Sequence, residues 1–195
     1  MVNAMKKFSV RVTPIISQLI FFLCAALFIF ASASIQAETL TAIQDSYTHG
    51  GKKTTNFGSS NTMMIRWDAP KFGFVEFDTS GLSGSTIQSA KLIVEVQDVR
   101  RAGQMDINIV QGSWAENTIT YENQPAFVGT PKGFAFSESN IGGQISVDIT
   151  STVQEWVSGS TPNYGLALTT GSGTIRLGTT EGNKAARLEI TTGAS

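Results

Sequence analysis

The chain has 195 residues, with 14 Lys and Arg against 15 Asp and Glu, one His and one Cys. This length suits one domain with one core and excludes two large domains. The formal net charge is −1, and the cations are scattered along the sequence. A protein that tracks duplex DNA needs clustered Lys and Arg for its phosphate contacts. We therefore expect no nucleic-acid partner.

Residues 1–37 have the layout of a secretory signal. Three basic residues lie within the first eleven, an apolar run follows at Leu19–Phe30, and the segment ends on the small residue Ala37. Basic, apolar and small regions in this order are typical of a signal peptide. We expect cleavage after Ala37, with Ala33 as a second candidate position, and a secreted or cell-surface protein.

A retained membrane anchor is the alternative to cleavage, because the apolar stretch from Ile15 to Ala33 approaches the ~20 residues that span a bilayer. After cleavage, no contact with a membrane is expected. The one cysteine, Cys24, lies in the apolar run, so residues 38–195 contain none. We expect these residues to form a single domain that is held together without disulfides.

Short stretches of alternating apolar and polar side chains run through residues 38–195, as half-buried strands require. One short helix is predicted at Ser151–Trp156, with Ser151 and Gln154 at the spacing of a capping box and Gly159 beyond its end. The pattern predicts an all-β fold, namely an antiparallel β-sandwich of the jelly-roll type with one short helix. The predicted strands are 63–67, 72–77, 91–96, 105–110, 145–148, 166–168, 174–177 and 187–190.

Residues that would support catalysis are scarce. A serine nucleophile needs a His base, and the single His49 is predicted in an exposed loop beside two Gly and two Lys. Zinc sites need clustered His and Cys, which this composition does not provide. Two carboxylate pairs, Glu116 with Glu122 and Asp148 with Glu155, have the residue types of a glycosidase. Such acids are more often solvated than catalytic, so we expect no enzymatic activity.

Five stretches follow one another in a fixed order along this part of the chain. They are Asp45-Ser46-Tyr47 with Thr55–Ser60, Phe74–Leu82, Ile87–Leu92, Trp114–Pro125, and Val147–Trp156 with Asn163–Leu168. In content and order they resemble the DNRLRE domains, also grouped as family 96 carbohydrate-binding modules. Two positions depart from the family pattern. Tyr121 replaces a Trp, and Thr179-Thr180-Glu181 stands where the pattern has Ser-Arg-Glu.

The resemblance implies a secreted, noncatalytic jelly-roll module whose ligands include alginate-type uronans. Every sugar of such a polysaccharide carries a carboxylate, so its binding face should offer Arg or Lys. Alternation sends Arg66 to the face opposite Ile65 and Trp67, so that Arg66 points outward if those two face the core, and Arg176 has the same geometry. A solvated outer sheet surface is the alternative role. The candidate ligand-binding residues are Lys53, Arg66, Lys71 and Arg176.

We predict roles other than ligand binding for four further side chains. Arg100 and Arg101 precede a glycine and are predicted in a solvated turn. Trp114 and Trp156 are expected to pack inside the structure, because large aromatic side chains dominate core energetics.

A structural Ca²⁺ is the one cofactor that the sequence leaves open. Asp45 and Asp148 are its candidate ligands. The full set of about six to eight oxygens that Ca²⁺ takes is not visible in the sequence.

A second function remains as an alternative to carbohydrate binding. A cysteine-free sandwich with Thr-rich strands could serve as a structural protein of the cell surface or extracellular matrix. Such a protein self-associates by adding strands edge to edge, and residues 38–42 are a candidate exchanged strand.

Overall fold

The computed structural model describes residues 35–193, apart from the side chains of residues 130–132. The expected signal segment up to Ser34, which includes the apolar run, lies outside the described residues. No helix within 35–193 is long and apolar enough to cross a membrane. The elements are β1 (Gln36–Thr41), β2 (Gln44–His49), β3 (Thr62–Arg66), β4 (Lys71–Glu76), β5 (Thr86–Val110), β6 (Phe127–Phe136), β7 (Gln144–Asp148), α1 (Thr150–Ser158), β8 (Leu166–Gly178) and β9 (Arg187–Gly193).

The long strand β5 joins two antiparallel layers into one curled sheet. Its N-terminal part, up to Glu95, pairs with β9 and β7, and β1 adds to the free side of β9. Its C-terminal part, from Val96, pairs with β8 and β6, and β4, β2 and β3 extend this second layer from β8. The predicted antiparallel all-β sandwich with one short helix is confirmed.

The main core lies between the two layers and takes every second side chain of the strands that face it. In β5, Leu92, Val94 and Val96 are buried in this cluster, as are Leu188 of β9 and Trp156 of α1. Full burial of one aliphatic side chain of this size stabilises the fold by about 1.5–3 kcal/mol. The expectation that Trp156 packs in the core is confirmed, since only 6% of it is exposed.

A second apolar cluster lies on the opposite face of the second layer. The loop after β5 brings Trp114 over Phe74 of β4, with 5.7 Å between the ring centroids. The indole Nε1 of Trp114 donates a hydrogen bond to the carbonyl oxygen of Tyr164 at 3.0 Å. The structural role expected for Trp114 is therefore confirmed.

Two pairs of strands that the sequence predicts as separate each form one continuous strand in the structure. Segments 91–96 and 105–110 both belong to β5, and 166–168 and 174–177 both belong to β8. Glycine permits this continuity, because a Cβ at Gly103 would lie 2.1 Å from the carbonyl oxygen of Ser172. Gly173 has a φ of +88°, which other residues rarely adopt. Arg100 and Arg101 consequently lie in β5, and the predicted turn is wrong.

Helix α1 lies where the sequence predicts it, but its N-terminus is built differently. It runs from Thr150 to Ser158 and ends on Gly159 in the left-handed conformation. The predicted capping box is wrong, because the N-cap residue is Ile149 and has no side-chain capping bond. The Oε1 of Gln154 instead accepts a hydrogen bond from the backbone N–H of Ile87 at 2.8 Å, which ties the helix to β5.

Asn56 fastens the loop after β2 to the loop after β5. Its Nδ2 donates to the carbonyl oxygens of Glu116 at 2.7 Å and Ile119 at 2.8 Å. Its Oδ1 accepts from the backbone N–H of Gly58 at 3.1 Å. A Cβ at Gly58 would lie 2.4 Å from the carbonyl oxygen of Glu116, so the two loops also touch backbone to backbone.

The Asn56 side chain and its bonds to the two loops form a clamp, and removing this clamp should destabilise the fold. We expect Asn56→Ala to lower the free energy of unfolding by about 2 kcal/mol, because it leaves two backbone carbonyls without their donor. Urea unfolding measures this change. The control is Asn117→Ala in the loop after β5, where the side chain is exposed. Equal stability of the two variants would contradict the clamp.

Candidate functional site

Basic side chains from four parts of the chain converge around the turn between β3 and β4. Arg66 at the end of β3 pairs with Lys71 at the start of β4. In the β3–β8 register, Met64 lies opposite Arg176 and Arg66 lies opposite Thr174, so both arginines occupy the same face of this pair. We call the group the basic cluster. Its members are Lys52, Arg66, Lys71, Arg100 and Arg176.

Lys71 is the most enclosed member of the basic cluster, with 9% of the residue exposed. Its Nζ contacts the Sδ of Met64 at 3.0 Å. Within the described residues, no carboxylate forms an ion pair with it. Burial lowers the pKa of Lys71, and the charges of the other four members of the cluster lower it further. An anion placed beside this ammonium would stabilise it.

The two arginines of the β3–β8 face differ in what holds them. The Nε and Nη2 of Arg66 both donate to the carboxylate of Asp68, with 2.9 Å between Nη2 and Oδ2. These bonds lower the pKa of Asp68 to about 2. By contrast, the Nε of Arg176 is buried and has no hydrogen-bond partner among the described residues. Arg66 is therefore partly neutralised, whereas Arg176 keeps an unused donor.

Aromatic rings lie beside the basic cluster. Trp67 is 43% exposed, and the guanidinium of Arg101 lies 5.4 Å from the centroid of its ring. Trp67 does not face the core, because β3 ends at Arg66 and the alternation ends with it. Tyr47 of β2 stacks on Phe57 with 4.4 Å between centroids.

His49 belongs to the same surface and is not the exposed loop residue that the sequence predicts. It ends β2, lies opposite Lys71 in the β2–β4 register and is half-buried. Its Nδ1 accepts a hydrogen bond from the backbone N–H of Gly51 at 3.0 Å. Burial lowers the pKa of His49 below 6.5, and the charges of Lys71, Lys52 and Arg66 lower it further.

Three of the four predicted ligand-binding residues are brought together, and the fourth is not part of the cluster. Arg66, Lys71 and Arg176 are all members. Lys53 is exposed, and its carbonyl oxygen accepts from the backbone N–H of Glu122 at 3.1 Å. Its neighbour Lys52 is the lysine whose charge acts on Lys71. The sequence alone gave no means of choosing between adjacent lysines in a loop.

The two predicted metal ligands do not lie together. Asp45 of β2 forms a group with Glu116 and Glu181, in which one oxygen from each lies within 4.8 Å of the others. Asp148 lies at the end of β7 in the other layer, where its Oδ1 accepts from the backbone N–H of Thr150 at 2.9 Å. The structure therefore groups Asp45 with Glu116 and Glu181, and Asp148 is not in this group.

The environment of Asp45 is unusual for an acid. Burial raises its pKa to about 6, hydrogen bonds from Thr180 oppose this rise, and the charges of Glu181 and Glu116 add to it. Only 1% of Asp45 is exposed. The group of three carboxylates supplies oxygen ligands alone, which is the chemistry that Ca²⁺ and Mg²⁺ prefer.

Comparison with known proteins concerns the described domain as a whole. A search of curated proteins finds no match. The family model for carbohydrate-binding module family 96 matches residues 36–192, which is nearly the whole of the described chain. Modules of this family are noncatalytic and bind carbohydrate, which is compatible with the absence of enzymatic activity expected from the sequence and supports a polysaccharide as partner. From the extent of this match, the chain belongs to carbohydrate-binding module family 96.

Proposed function

We propose that this module binds an acidic polysaccharide of the alginate-like uronan type through the basic cluster. The observation that carries the proposal is Lys71, a buried ammonium with four cations around it and no carboxylate paired to it in the described chain. A buried charge without a partner is costly. A uronan would bring one carboxylate per sugar to this surface and so supply the missing partners.

The neighbouring groups fit a charged sugar chain better than a neutral one. Arg176 is half-buried and has no ion pair with a carboxylate in the described residues, so its guanidinium can form a charged hydrogen bond with a carboxylate of the ligand. Trp67 offers an exposed ring at the side of the cluster. Aromatic faces are apolar and can pack against the C–H faces of a pyranose. The arrangement therefore supports binding and orientation of an anionic glycan.

Secretion is part of the same proposal, because the signal-like N-terminus would deliver the module to polysaccharides outside the cell. The structure bears on where cleavage would leave the domain intact. Gln36 and Ala37 are the first residues of β1 and pair with Thr192 and Thr191 of β9. Cleavage after Ala33 would keep both pairs, whereas cleavage after Ala37 would remove them.

Self-association through strand edges is the second candidate, and the position of β1 favours it. Most of the segment 38–42 lies in β1, which pairs with β9 of the same chain and stands at one end of the strand order. Within residues 35–193, no strand pairs with its other side. A free edge of this kind can accept a strand from another copy.

The binding proposal is tested by retardation of the purified protein in native gels that contain alginate, pectin or a neutral glucan, beside a size-exclusion profile. We expect a monomer that is retarded by alginate and not by the glucan. Lys71→Met should weaken retardation by about 10-fold or more, since a charged hydrogen bond is worth about 1.5–3 kcal/mol. The same variant should unfold at an equal or higher temperature, because it removes a buried, repelled charge.

The matched control is Lys91→Met, at an exposed lysine of β5 in the other layer. It should be retarded like the parent protein. Equal retardation of Lys71→Met and Lys91→Met would exclude the basic cluster as the binding site. High-mass species in the absence of any sugar, without retardation, would support strand-edge assembly instead.

The ion pair between Arg66 and Asp68 gives a second test with the opposite sign. Asp68 competes with a ligand for the guanidinium, so Asp68→Asn should strengthen uronan binding by about 2- to 5-fold, the range of exposed ion pairs. Arg66→Ala should weaken it. Isothermal titration with uronan oligosaccharides measures both, and Arg187→Ala on the other layer is the control. A loss of affinity in Asp68→Asn would contradict a binding role for Arg66.

His49 reports on the same surface without any substitution. Its pKa lies below 6.5 because of burial and the charges of Lys71, Lys52 and Arg66. A bound polyanion favours the charged imidazole, so we expect the pKa of His49 to rise on addition of uronan. Binding should accordingly strengthen as the pH falls through that pKa. NMR titration of the imidazole measures the shift, and an unchanged pKa with saturating uronan would place the ligand elsewhere.

A further inference from the structure

Three carboxylates meet near the start of β2, at the other end of the strand from His49, where two loops close on the strand. Asp45 comes from β2, Glu116 from the loop between β5 and β6, and Glu181 from the loop between β8 and β9. One oxygen from each lies within 4.8 Å of the other two. Like charges at this separation repel one another unless a proton or a cation lies among them.

An independent observation points to a ligand at this place. Asp45 is 1% exposed, and its Oδ2 accepts from the backbone N–H of Thr180 at 2.8 Å and from its Oγ1 at 2.6 Å. The other oxygen, Oδ1, is buried and has no hydrogen-bond partner among the described residues. Buried carboxylate oxygens are ordinarily paired, so this atom requires an explanation.

We propose that Asp45, Glu116 and Glu181 bind one Ca²⁺ ion that ties the two loops to β2. The ligand set is all oxygen, as Ca²⁺ requires. Calcium–oxygen bonds of about 2.3–2.6 Å allow two ligands on opposite sides of the ion to lie up to about 5 Å apart. The oxygens of the three acids lie within 4.8 Å of one another, which fits this range. Mg²⁺ usually takes one or two carboxylates and keeps several waters, so a set of three carboxylates favours Ca²⁺.

Hydrogen bonds hold Glu116 and the loop that carries Glu181 in place. The Oε1 of Glu116 accepts from the backbone N–H of Asp45 at 3.0 Å, and its own N–H donates to Oε1 of Gln44 at 3.1 Å. The loop of Glu181 is fixed by Thr179, whose Oγ1 donates to the carbonyl oxygen of Ser60 at 2.8 Å. Little rearrangement would be needed to bind the ion, and ion binding would stabilise the folded chain over the unfolded one.

The experiment is equilibrium dialysis of the chelator-treated full-length protein against Ca²⁺, together with thermal unfolding in Ca²⁺ and in EDTA. We expect one Ca²⁺ per chain and a rise in Tm of about 5–10 °C at 100-fold excess over Kd. Glu181→Gln should lose at least 10-fold in Ca²⁺ affinity. Its side chain is exposed, so the variant should fold like the parent protein in EDTA.

The matched control is Glu122→Gln, an exposed glutamate in the same β5–β6 loop as Glu116 and outside the group of three. It should bind Ca²⁺ like the parent protein. A second variant, Asp45→Asn, should lose the rise in Tm with Ca²⁺ while remaining folded in EDTA. The proposal is overturned if the parent protein binds no Ca²⁺ at 1 mM, or if Glu181→Gln binds it as tightly as Glu122→Gln.

Discussion

The whole arrangement depends on the close approach of β5 and β8 where both strands bend. Gly103 and Gly173 lie at this point, and a Cβ on either would meet the backbone of the facing strand. Because both positions are glycine, β5 and β8 stay paired through the bend, and β5 continues to Val110 as one strand of 25 residues. The bend also determines the site. It places Arg100 and Arg101 on β5 beside Arg176 on β8, next to the turn that carries Arg66.

The sequence predicted the fold class because alternation survives wherever one face of a strand is buried. Strand prediction failed where bulges, turn-forming residues or buried polar residues interrupt this alternation. Bulges in β5 shift the register between Val96 and Met105, so the alternation is interrupted there and the segment resembles a turn. Strand β6 contains Gly129, Pro131 and Gly133, which are ordinary turn residues, and it was missed. Strand β2 was missed because it buries polar residues, among them Asp45 and Thr48.

The residues of the candidate sites were likewise predictable only where they lie in strands that alternate. Arg66 and Arg176 were predictable, because each stands between two apolar residues of one strand and alternation fixes the face on which it lies. Which loop lysine joins them was not, since a loop has no period and Lys52 and Lys53 are adjacent. The grouping of Asp45 with Glu116 and Glu181 depends on loops that meet across 71 residues of sequence at Glu116 and 135 at Thr180. No local pattern reports a contact of that range.

A net charge of −1 conceals a strong separation of charge. Strand β2 has an acidic group at Asp45 and a basic environment at His49, only four residues apart in sequence. The scattering of cations along the sequence argued against a polyanion such as DNA, yet folding gathers five of them around one turn. Each concentration is unfavourable by itself, because like charges that are drawn out of water repel strongly. The two proposed ligands, a polyanion for the basic cluster and a cation for the three acids, would each relieve one of these local excesses of charge.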